Sequence, residues 1–206
     1  EAVARAISGR KIAEADRDAS VSIPARDLNE PVFQHGAGGR REVILPGNKE
    51  YVTGDEIERL GPRALLAHGG SLRVYCARAT QIPALLTEIG RLREVTFRDV
   101  GEGTNKSLDI DQYDSYYNHL FIWDTQAHCI VGAYRIGKGK DIMAAYGRNG
   151  FYVNTLFELL PGFDPILNEG LEMGRSFITK EYQRKPSSLF LLWKGILYTL
   201  LKNPDY

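Results

Sequence analysis

Asn118-His-Leu-Phe-Ile-Trp-Asp124 and Cys129-Ile-Val-Gly-Ala-Tyr-Arg-Ile136 are the two runs that decide the fold. Both are rich in β-branched and aromatic residues, and the short segment Asp124-Thr-Gln-Ala127 lies between them. Two such runs joined by a few turn residues are typical of an antiparallel hairpin. We therefore predict strands over Asn118–Trp123 and Cys129–Ile136.

The segments before the hairpin predict a further strand and three helices. Leu72–Arg78 alternates and is β-rich, which indicates a strand. Apolar residues recur at helical spacing over Ile82–Phe97, so this segment is predicted to be a helix. Upstream, a cap at Thr53 or Asp55 starts a helix that ends near Leu60, and a second short helix is predicted from Gly61-Pro62 through His68.

The segments after the helix at Ile82–Phe97 extend the same layered pattern. Val100–Asp114 is rich in glycine and polar residues and is predicted to be a long loop. A short helix is expected at Ile142–Tyr146, strands at Phe151–Phe157 and Leu171–Ile178, and an apolar helix at Leu189–Leu201. The order predicts an α+β (α/β layered) domain, with helices flanking a mixed, mostly antiparallel sheet.

Composition limits the classes of function. The 206 residues are 43% hydrophobic, and the 26 Lys+Arg residues equal the 26 Asp+Glu residues, so the chain carries no basic field for nucleic acid. Cys76 and Cys129 form no disulfide or metal-binding pattern. Neither a signal peptide nor a membrane span is indicated, so we expect a cytoplasmic protein. Residues 71–206 are predicted to be the main domain, and residues 1–70 a helical or linker segment, the tail of a preceding domain.

Charged residues beside apolar segments mark the candidate site. A charge in such a position is costly unless it is paired, so we predict a buried ion network that lines a pocket. The set should converge on one face of the sheet, next to the start of the last helix. Its members are Arg93, Asp111, Asp114, Arg135, Glu172 and Arg175.

Two alternatives remain open for this set. Glu172 is either a reactive carboxylate or part of a structural ion pair with Arg135 or Arg175. The two aspartates either bind a ligand, or they cap a turn or pair with Arg93. Glu172 and Arg175 would point to opposite faces of a regular strand, so a bulge or a bend at the strand end is required to bring them together.

His119 and Asp124 have the spacing of a glycerolipid O-acyltransferase dyad. On a strand, however, these two positions face opposite ways. We therefore expect His119 to be a core or edge histidine, and both tryptophans, Trp123 and Trp193, to lie in the core.

The motifs LREVTF, DIDQYD, IVGAYRI and LEMGRSFI, in this order, resemble a known family. They are similar to the N-acyltransferases that make ornithine-type and other amino-acid lipids, often labelled hemolysin-like, in the N-acetyltransferase (GNAT) superfamily. The likeness covers about residues 72–206, and a more distant one links the same charges to acyl-homoserine-lactone synthases. It implies an acyl-CoA N-acyltransferase-like fold that is truncated after Tyr206, and a chain that forms the C-terminal part of an O-acyltransferase fusion.

The resemblance also implies roles for single residues. Catalytic roles fall to Glu172, Arg175, Asp111 and Asp114, with Glu172 as the base. Substrate-binding roles fall to Arg93, Phe97, Arg135 and Ser176.

The donor site departs from the superfamily pattern. The loop Gln183-Arg-Lys-Pro-Ser-Ser188 lacks the usual glycines, although residues at this helix start can still hold a phosphate. These residues are Arg184, Lys185, Ser187 and Ser188. The departure leaves room for acyl carrier protein as well as coenzyme A as the thioester carrier, with no tightly bound cofactor and no metal.

The resulting hypothesis is transfer of a fatty acyl group from a thioester to the amine of an amino-acid acceptor, in membrane-lipid synthesis. It implies peripheral association with the inner membrane surface. The alternative is a non-catalytic module that binds an acyl carrier or a partner domain.

Overall fold

A computed structural model describes residues 41–47, 54–204 and 206 of the chain. Its main elements are α1 (Gly54–Ala64), β1 (Leu65–Gly69), β2 (Leu72–Arg78), α2 (Pro83–Asp99), β3 (Asn118–Asp124), β4 (Cys129–Lys138), α3 (Gly139–Tyr146), α4 (Asp164–Glu169), β5 (Leu171–Ile178) and α5 (Pro186–Lys202). Predictions for residues 1–40 lie outside the described residues. Within the described segments, no helix has the length and hydropathy of a membrane span.

The five strands form one sheet in chain order, and each described neighbouring pair is antiparallel. The predicted hairpin is β3 and β4, and β2 pairs with the outer side of β3. In that pair Tyr75 lies opposite Phe121, and their rings stack with centroids 5.7 Å apart. The structure confirms the predicted class, in which helices flank a mostly antiparallel sheet.

Helices cover both faces of the sheet, because the side chains of β2 and β3 are apolar on both faces. α2 packs on one face, where Ile89 and Phe121 belong to the same buried cluster. α5 packs on the other face, and at Gly195 an added Cβ would lie only 2.7 Å from Val74 Cγ1. The buried stripe of α5 consists of Ser188, Leu191, Leu192, Gly195 and Thr199.

The prediction of a second short helix from Gly61 to His68 is wrong in part. α1 continues through a kink at Gly61, where φ is +64°, and the chain then enters β1 rather than remaining helical to His68. β1 pairs with β2 from Leu65, opposite Tyr75, to Gly69. Its backbone groups are therefore satisfied by the sheet, which outweighs local helix preference.

The segment from Phe151 to Phe157 is not the predicted strand. Phe151 is buried, whereas Phe157 is 60% exposed. The backbone N–H groups of Tyr152 and Val153 donate to the Glu172 carboxylate instead of to a neighbouring strand. A side chain from β5 thus holds this segment in a turn.

Trp193 is not the core residue that its apolar surroundings predicted. Its side chain is 65% exposed, whereas Trp123 is 3% exposed. The small residue Gly195 and the polar residues Ser188 and Thr199 lie on the buried stripe instead. Close approach of α5 to the sheet favours small residues there, and this moves the large side chains outward.

Candidate active site

Three arginines and three aspartates meet on the face of the sheet that carries α2, and we call them the ion cluster. Arg93 comes from α2, Arg135 from β4 and Arg175 from β5. The aspartates all come from the connection between α2 and β3. They are Asp109, Asp111 and Asp114.

Asp114 lies at the enclosed end of the ion cluster. Its oxygens lie 3.1 Å from Arg93 Nη1 and 3.3 Å from Arg135 Nη1, and all three side chains are about 1% exposed. Burial acts to raise the pKa of Asp114, but the two guanidiniums outweigh it and hold the pKa below its ordinary value. This end is a paired, solvent-free charge group.

Asp111 and Arg175 form the end of the ion cluster that solvent reaches. Asp111 Oδ1 lies 2.5 Å from Arg135 Nη1, and Asp111 Oδ2 lies 3.8 Å from Arg175 Nη2. The Asp111 side chain is 25% exposed and the Arg175 side chain 21%. A carboxylate and a guanidinium are therefore accessible side by side.

Asp109 belongs to the site but was not predicted. Its Oδ1 lies 3.7 Å from Arg175 Nε, and its Oδ2 accepts no hydrogen bond from the described residues. Burial raises the pKa of this carboxyl, although Arg175 and Arg93 act against the rise. Its backbone N–H donates to the Gly90 carbonyl, which fixes the connection against α2.

Tyrosine rings surround the two arginines that come from the sheet. The Arg135 guanidinium carbon lies 5.5, 5.2 and 5.3 Å from the ring centroids of Tyr113, Tyr117 and Tyr152. The Arg175 guanidinium carbon lies 5.0 Å from the Tyr152 centroid. A cation within about 6 Å of an aromatic ring centroid is attracted to the ring. These contacts therefore stabilise the two guanidiniums in addition to their pairing with carboxylates.

Glu172 joins this site through tyrosines rather than through an arginine. The Tyr117 hydroxyl donates to its Oε2 at 2.5 Å, and the Tyr152 and Val153 N–H groups donate at 3.2 and 2.8 Å. Burial and this carboxylate together raise the pKa of Tyr117. Among the described ion pairs, none joins Glu172 to an arginine.

A bulge in β5 brings Glu172 and Arg175 to the same side. The β4–β5 register shifts between Ala133 and Arg135, and Arg175 has a left-handed backbone with φ of +52°. This extra residue reverses the alternation of side chains, so that both Glu172 and Arg175 reach Tyr152. Of the two distortions that the sequence analysis allows, a bulge or a bend at the strand end, the structure has the bulge.

Two of the predicted substrate-binding residues lie apart from the ion cluster. Phe97 is half-buried and packs against the apolar cluster that contains Ile89. Ser176 is exposed, and no described hydrogen bond joins it to the ion cluster.

The predicted donor residues lie at the start of α5. Arg184, Lys185 and Ser187 are exposed, whereas Ser188 is fully buried and its Oγ has no partner among the described residues. Lys185 Nζ lies 4.1 Å from the Tyr182 ring centroid and borders a cavity of about 500 Å³. Other residues that line this cavity are Arg91, His128, Thr179 and Glu181.

His119 and Asp124 do not form a dyad. His119 Nε2 lies 2.9 Å from the Asp114 carbonyl oxygen, whereas Asp124 accepts hydrogen bonds from Tyr182 and the Gln126 backbone. Burial lowers the pKa of His119. The histidine is a buried core residue that contacts the backbone of the ion cluster at Asp114.

Two family models match separate parts of the chain. Residues 1–71 match a family described as "Protein of unknown function (DUF444)". A "UPF0229 protein" of Thiobacillus denitrificans is 54% identical over 71 residues, which cover 34% of this chain and 17% of that protein. The assignment of residues 1–70 as the tail of a preceding domain stays a prediction.

Two relatives match the part of the chain that contains the ion cluster. A "Glycine N(alpha)-acyltransferase" of Bacteroides thetaiotaomicron is 32% identical over 178 residues, 80% of this chain and 52% of that protein. The enzyme of the same name from Phocaeicola vulgatus is also 32% identical, over 75% of this chain and 50% of its own length. The chain thus spans about half the length of these relatives, and no solved structure matches it.

The family model "Acetyltransferase (GNAT) domain" matches residues 92–194, which is half of the chain. These residues run from α2 into α5 and include every member of the ion cluster. The chain therefore belongs to the GNAT acetyltransferase superfamily.

Proposed function

We propose that this domain transfers a fatty acyl group from a thioester to the α-amine of a small amino acid, with glycine as the first candidate. The observation that carries the proposal is the accessible pair of Asp111 and Arg175, 3.8 Å apart at the solvent end of the ion cluster. The name that the two relatives share, glycine N(alpha)-acyltransferase, supports glycine as the acceptor.

An amino acid is a zwitterion and suits this pair. Asp111 would bind the ammonium group, and the planar guanidinium of Arg175 would bind the carboxylate. Arg93, Asp114 and Arg135 are enclosed, so in this proposal they position Asp111 and do not contact the acceptor. An α-amino acid fits because its ammonium and carboxylate groups are attached to the same carbon and are therefore close together.

In the reaction, the deprotonated amine nitrogen attacks the thioester carbonyl carbon. The C–S bond then breaks, an amide forms, and the proton that the nitrogen loses in this step passes to the released thiolate. Glu172 is the proposed base that first takes a proton from the ammonium group and then gives it up to water. Its hydrogen bonds to Tyr117 and to the Tyr152 and Val153 backbone would fix its orientation.

The proposed donor is an acyl carrier protein or a coenzyme A thioester. The exposed cations Arg184 and Lys185, beside the first turn of α5, are the proposed phosphate contacts. The product would be an acylated amino acid with a long apolar chain. This proposal places the enzyme in membrane-lipid synthesis, at the inner membrane surface.

The acceptor assignment is tested by comparing glycine with glycinamide, which keeps the amine and lacks the carboxylate. The purified full chain is incubated with acyl carrier protein or coenzyme A thioesters, and products are measured by mass spectrometry. We expect a preference for glycine of about 10- to 100-fold in kcat/KM, and loss of that preference in Arg175→Ala. Equal use of both acceptors by the wild type would exclude a carboxylate contact at Arg175.

The base assignment is tested with Glu172→Gln, together with Tyr117→Phe as the matched control. Tyr117→Phe removes the hydrogen bond to Glu172 but keeps the carboxylate. We expect a loss of at least about 100-fold in kcat for Glu172→Gln and a smaller loss for Tyr117→Phe. Unchanged turnover in a folded Glu172→Gln variant would remove Glu172 from the reaction.

The same assay separates catalysis from the alternative, a module that only binds an acyl carrier. Product from neither donor, with retained binding of acyl carrier protein in a pull-down, would favour the binding module. Product from either donor would exclude it.

A further inference from the structure

The outward face of α5 carries a continuous apolar stripe. Phe190, Trp193, Leu197 and Leu201 follow one another at intervals of three or four residues, the spacing of one helix face. Their exposures are 67%, 65%, 50% and 61%. Leu189 and Leu200 extend the surface on one side, at 51% and 39% exposure. We call these six residues the outer stripe.

The outer stripe is not needed for packing α5 on the sheet. The opposite side of the helix supplies that contact through Leu191, Leu192 and Gly195, which are buried. At Gly195 the helix lies so close to Val74 and Leu120 that this face packs directly on the sheet. A contiguous exposed apolar surface on one helix indicates a site of contact with a protein or a membrane.

The segment that contains α5 carries charged residues of one sign. Residues 184–202 contain four cations, Arg184, Lys185, Lys194 and Lys202, and no aspartate or glutamate. The whole chain is neutral, so this segment is a local positive region. Lys194 lies between the apolar residues, with Nζ 5.9 Å from the Tyr198 ring centroid. Apolar, aromatic and lysine side chains on one helix face are the combination that binds anionic lipid surfaces.

We propose that α5 docks on an anionic lipid bilayer with its axis parallel to the surface. Phe190, Trp193, Leu197 and Leu201 enter the acyl-chain boundary, while Lys194 remains at the level of the lipid phosphates. The inference deepens the proposed function, on which it rests, by naming the surface through which the enzyme meets the membrane. Membrane binding is measured without acyl transfer, so failure of this inference can be distinguished from failure of the proposed function.

Trp193 provides a direct probe of this contact. The chain has two tryptophans, and Trp123 is buried, so a Trp123→Phe variant of the full chain reports on Trp193 alone. This variant is titrated with phosphatidylcholine vesicles that contain or lack phosphatidylglycerol. We expect a blue shift of the emission and co-sedimentation with the anionic vesicles, with about tenfold weaker binding to phosphatidylcholine alone. No change with either vesicle would overturn the proposal.

Two variants separate the apolar and electrostatic contributions. Phe190→Ser with Leu197→Ser should abolish co-sedimentation, and Lys194→Glu should weaken it about tenfold. None of these three residues belongs to the buried stripe of α5, so circular dichroism should be unchanged. The matched control is Phe157→Ser with Leu160→Ser, which removes two apolar side chains of similar exposure from the connection before β5. An equal loss in this control would overturn the assignment to α5.

Self-association is the competing occupant of the outer stripe. Size-exclusion chromatography that shows a dimer without lipid, converted to a monomer by Phe190→Ser with Leu197→Ser, would overturn membrane docking. Acyl transfer to glycine in detergent, without vesicle binding, would overturn this inference and leave the proposed function intact. Vesicle binding without acyl transfer would support this inference and count against the proposed function.

Discussion

The Glu172 carboxylate and the Arg175 guanidinium lie on the same side of β5 and share Tyr152 as a neighbour. Glu172 accepts the Tyr152 N–H at 3.2 Å, and Arg175 lies 5.0 Å from the Tyr152 ring centroid. A regular strand would place residues three positions apart on opposite faces. The left-handed backbone of Arg175 is therefore the element that assembles this side of the site.

Substitution of Arg175 separates the backbone cost from the chemical role. Arg175→Gly relieves the left-handed conformation, whereas Arg175→Ala keeps it, and both remove the guanidinium. We expect the glycine variant to be about 1 kcal/mol more stable than the alanine variant in urea unfolding. Both should lose acyl transfer by about 30- to 100-fold, the equivalent of about 2–3 kcal/mol. Equal stabilities would show that the bulge relaxes in the variants.

Asp114 and Asp109 are predicted to differ in their effect on stability. Asp114→Asn leaves Arg93 and Arg135 buried with too little negative charge, and should cost about 3–5 kcal/mol in the free energy of unfolding at pH 7. Asp109→Asn is the matched control, since burial already disfavours its charge. We expect it to change stability by less than about 1 kcal/mol. Equal losses would contradict the assignment of Asp114 as the paired charge.

The pH dependence of these two carboxyls should have opposite signs. The lowered pKa of Asp114 gives stability that is present above its ordinary value of 3.8 and is lost as the pH falls further. The raised pKa of Asp109 gives stability at low pH that is lost as the pH rises above 3.8. Unfolding curves of the two variants, measured against pH, should diverge from the wild type in opposite directions.

His119 is expected to make the fold sensitive to mild acid. Its pKa is lowered by burial, so the unfolded chain takes up a proton first and stability falls as the pH drops below the ordinary value of 6.5. His119→Gln keeps a donor for the Asp114 carbonyl and removes the titration. The free energy of unfolding of this variant should be flatter than that of the wild type between about pH 5 and 7. Parallel curves would show that His119 does not titrate in this range.

The close contact between α5 and the sheet is tested at Gly195. An added Cβ there would lie 2.7 Å from Val74 and 3.0 Å from Leu120, so Gly195→Ala should cost about 1–3 kcal/mol in thermal or urea unfolding. Gly174→Ala on β5 is the control, because nothing lies within 4 Å of its added Cβ. A neutral Gly195→Ala variant would mean that the helix shifts outward without cost.

The sequence predicted the central elements because their patterns are local. The hairpin, Leu72–Arg78 and the helix over Ile82–Phe97 each follow from a period that the buried faces require. Among the described residues, the strand predicted at Phe151–Phe157 is absent. Its residues do alternate, but two of its backbone N–H groups donate to Glu172, a residue far along the chain. No local pattern predicts such a long-range acceptor.

The site was partly predictable for the same reason. Arg93 and Arg135 stand out as charges within apolar runs, and the structure brings them together at Asp114. Asp109 does not stand out, because Leu108-Asp-Ile-Asp111 presents two similar aspartates and only the close packing of this connection on Gly90 buries one of them. Trp193, on the outer stripe, was predicted to lie in the core, since apolar composition alone does not say which face of α5 is covered.

The bulge at Arg175 has a consequence for association between chains. In the described part of the chain β5 is an outermost strand, so one of its edges has no neighbouring strand. A regular edge of this kind can template the addition of a strand from another molecule, and bulges and charges disrupt that row of hydrogen-bonding groups. Variants that regularise β5 would thus be expected to form intermolecular sheets more readily. One backbone angle, at Arg175, thus both orients a guanidinium and interrupts the edge of the sheet.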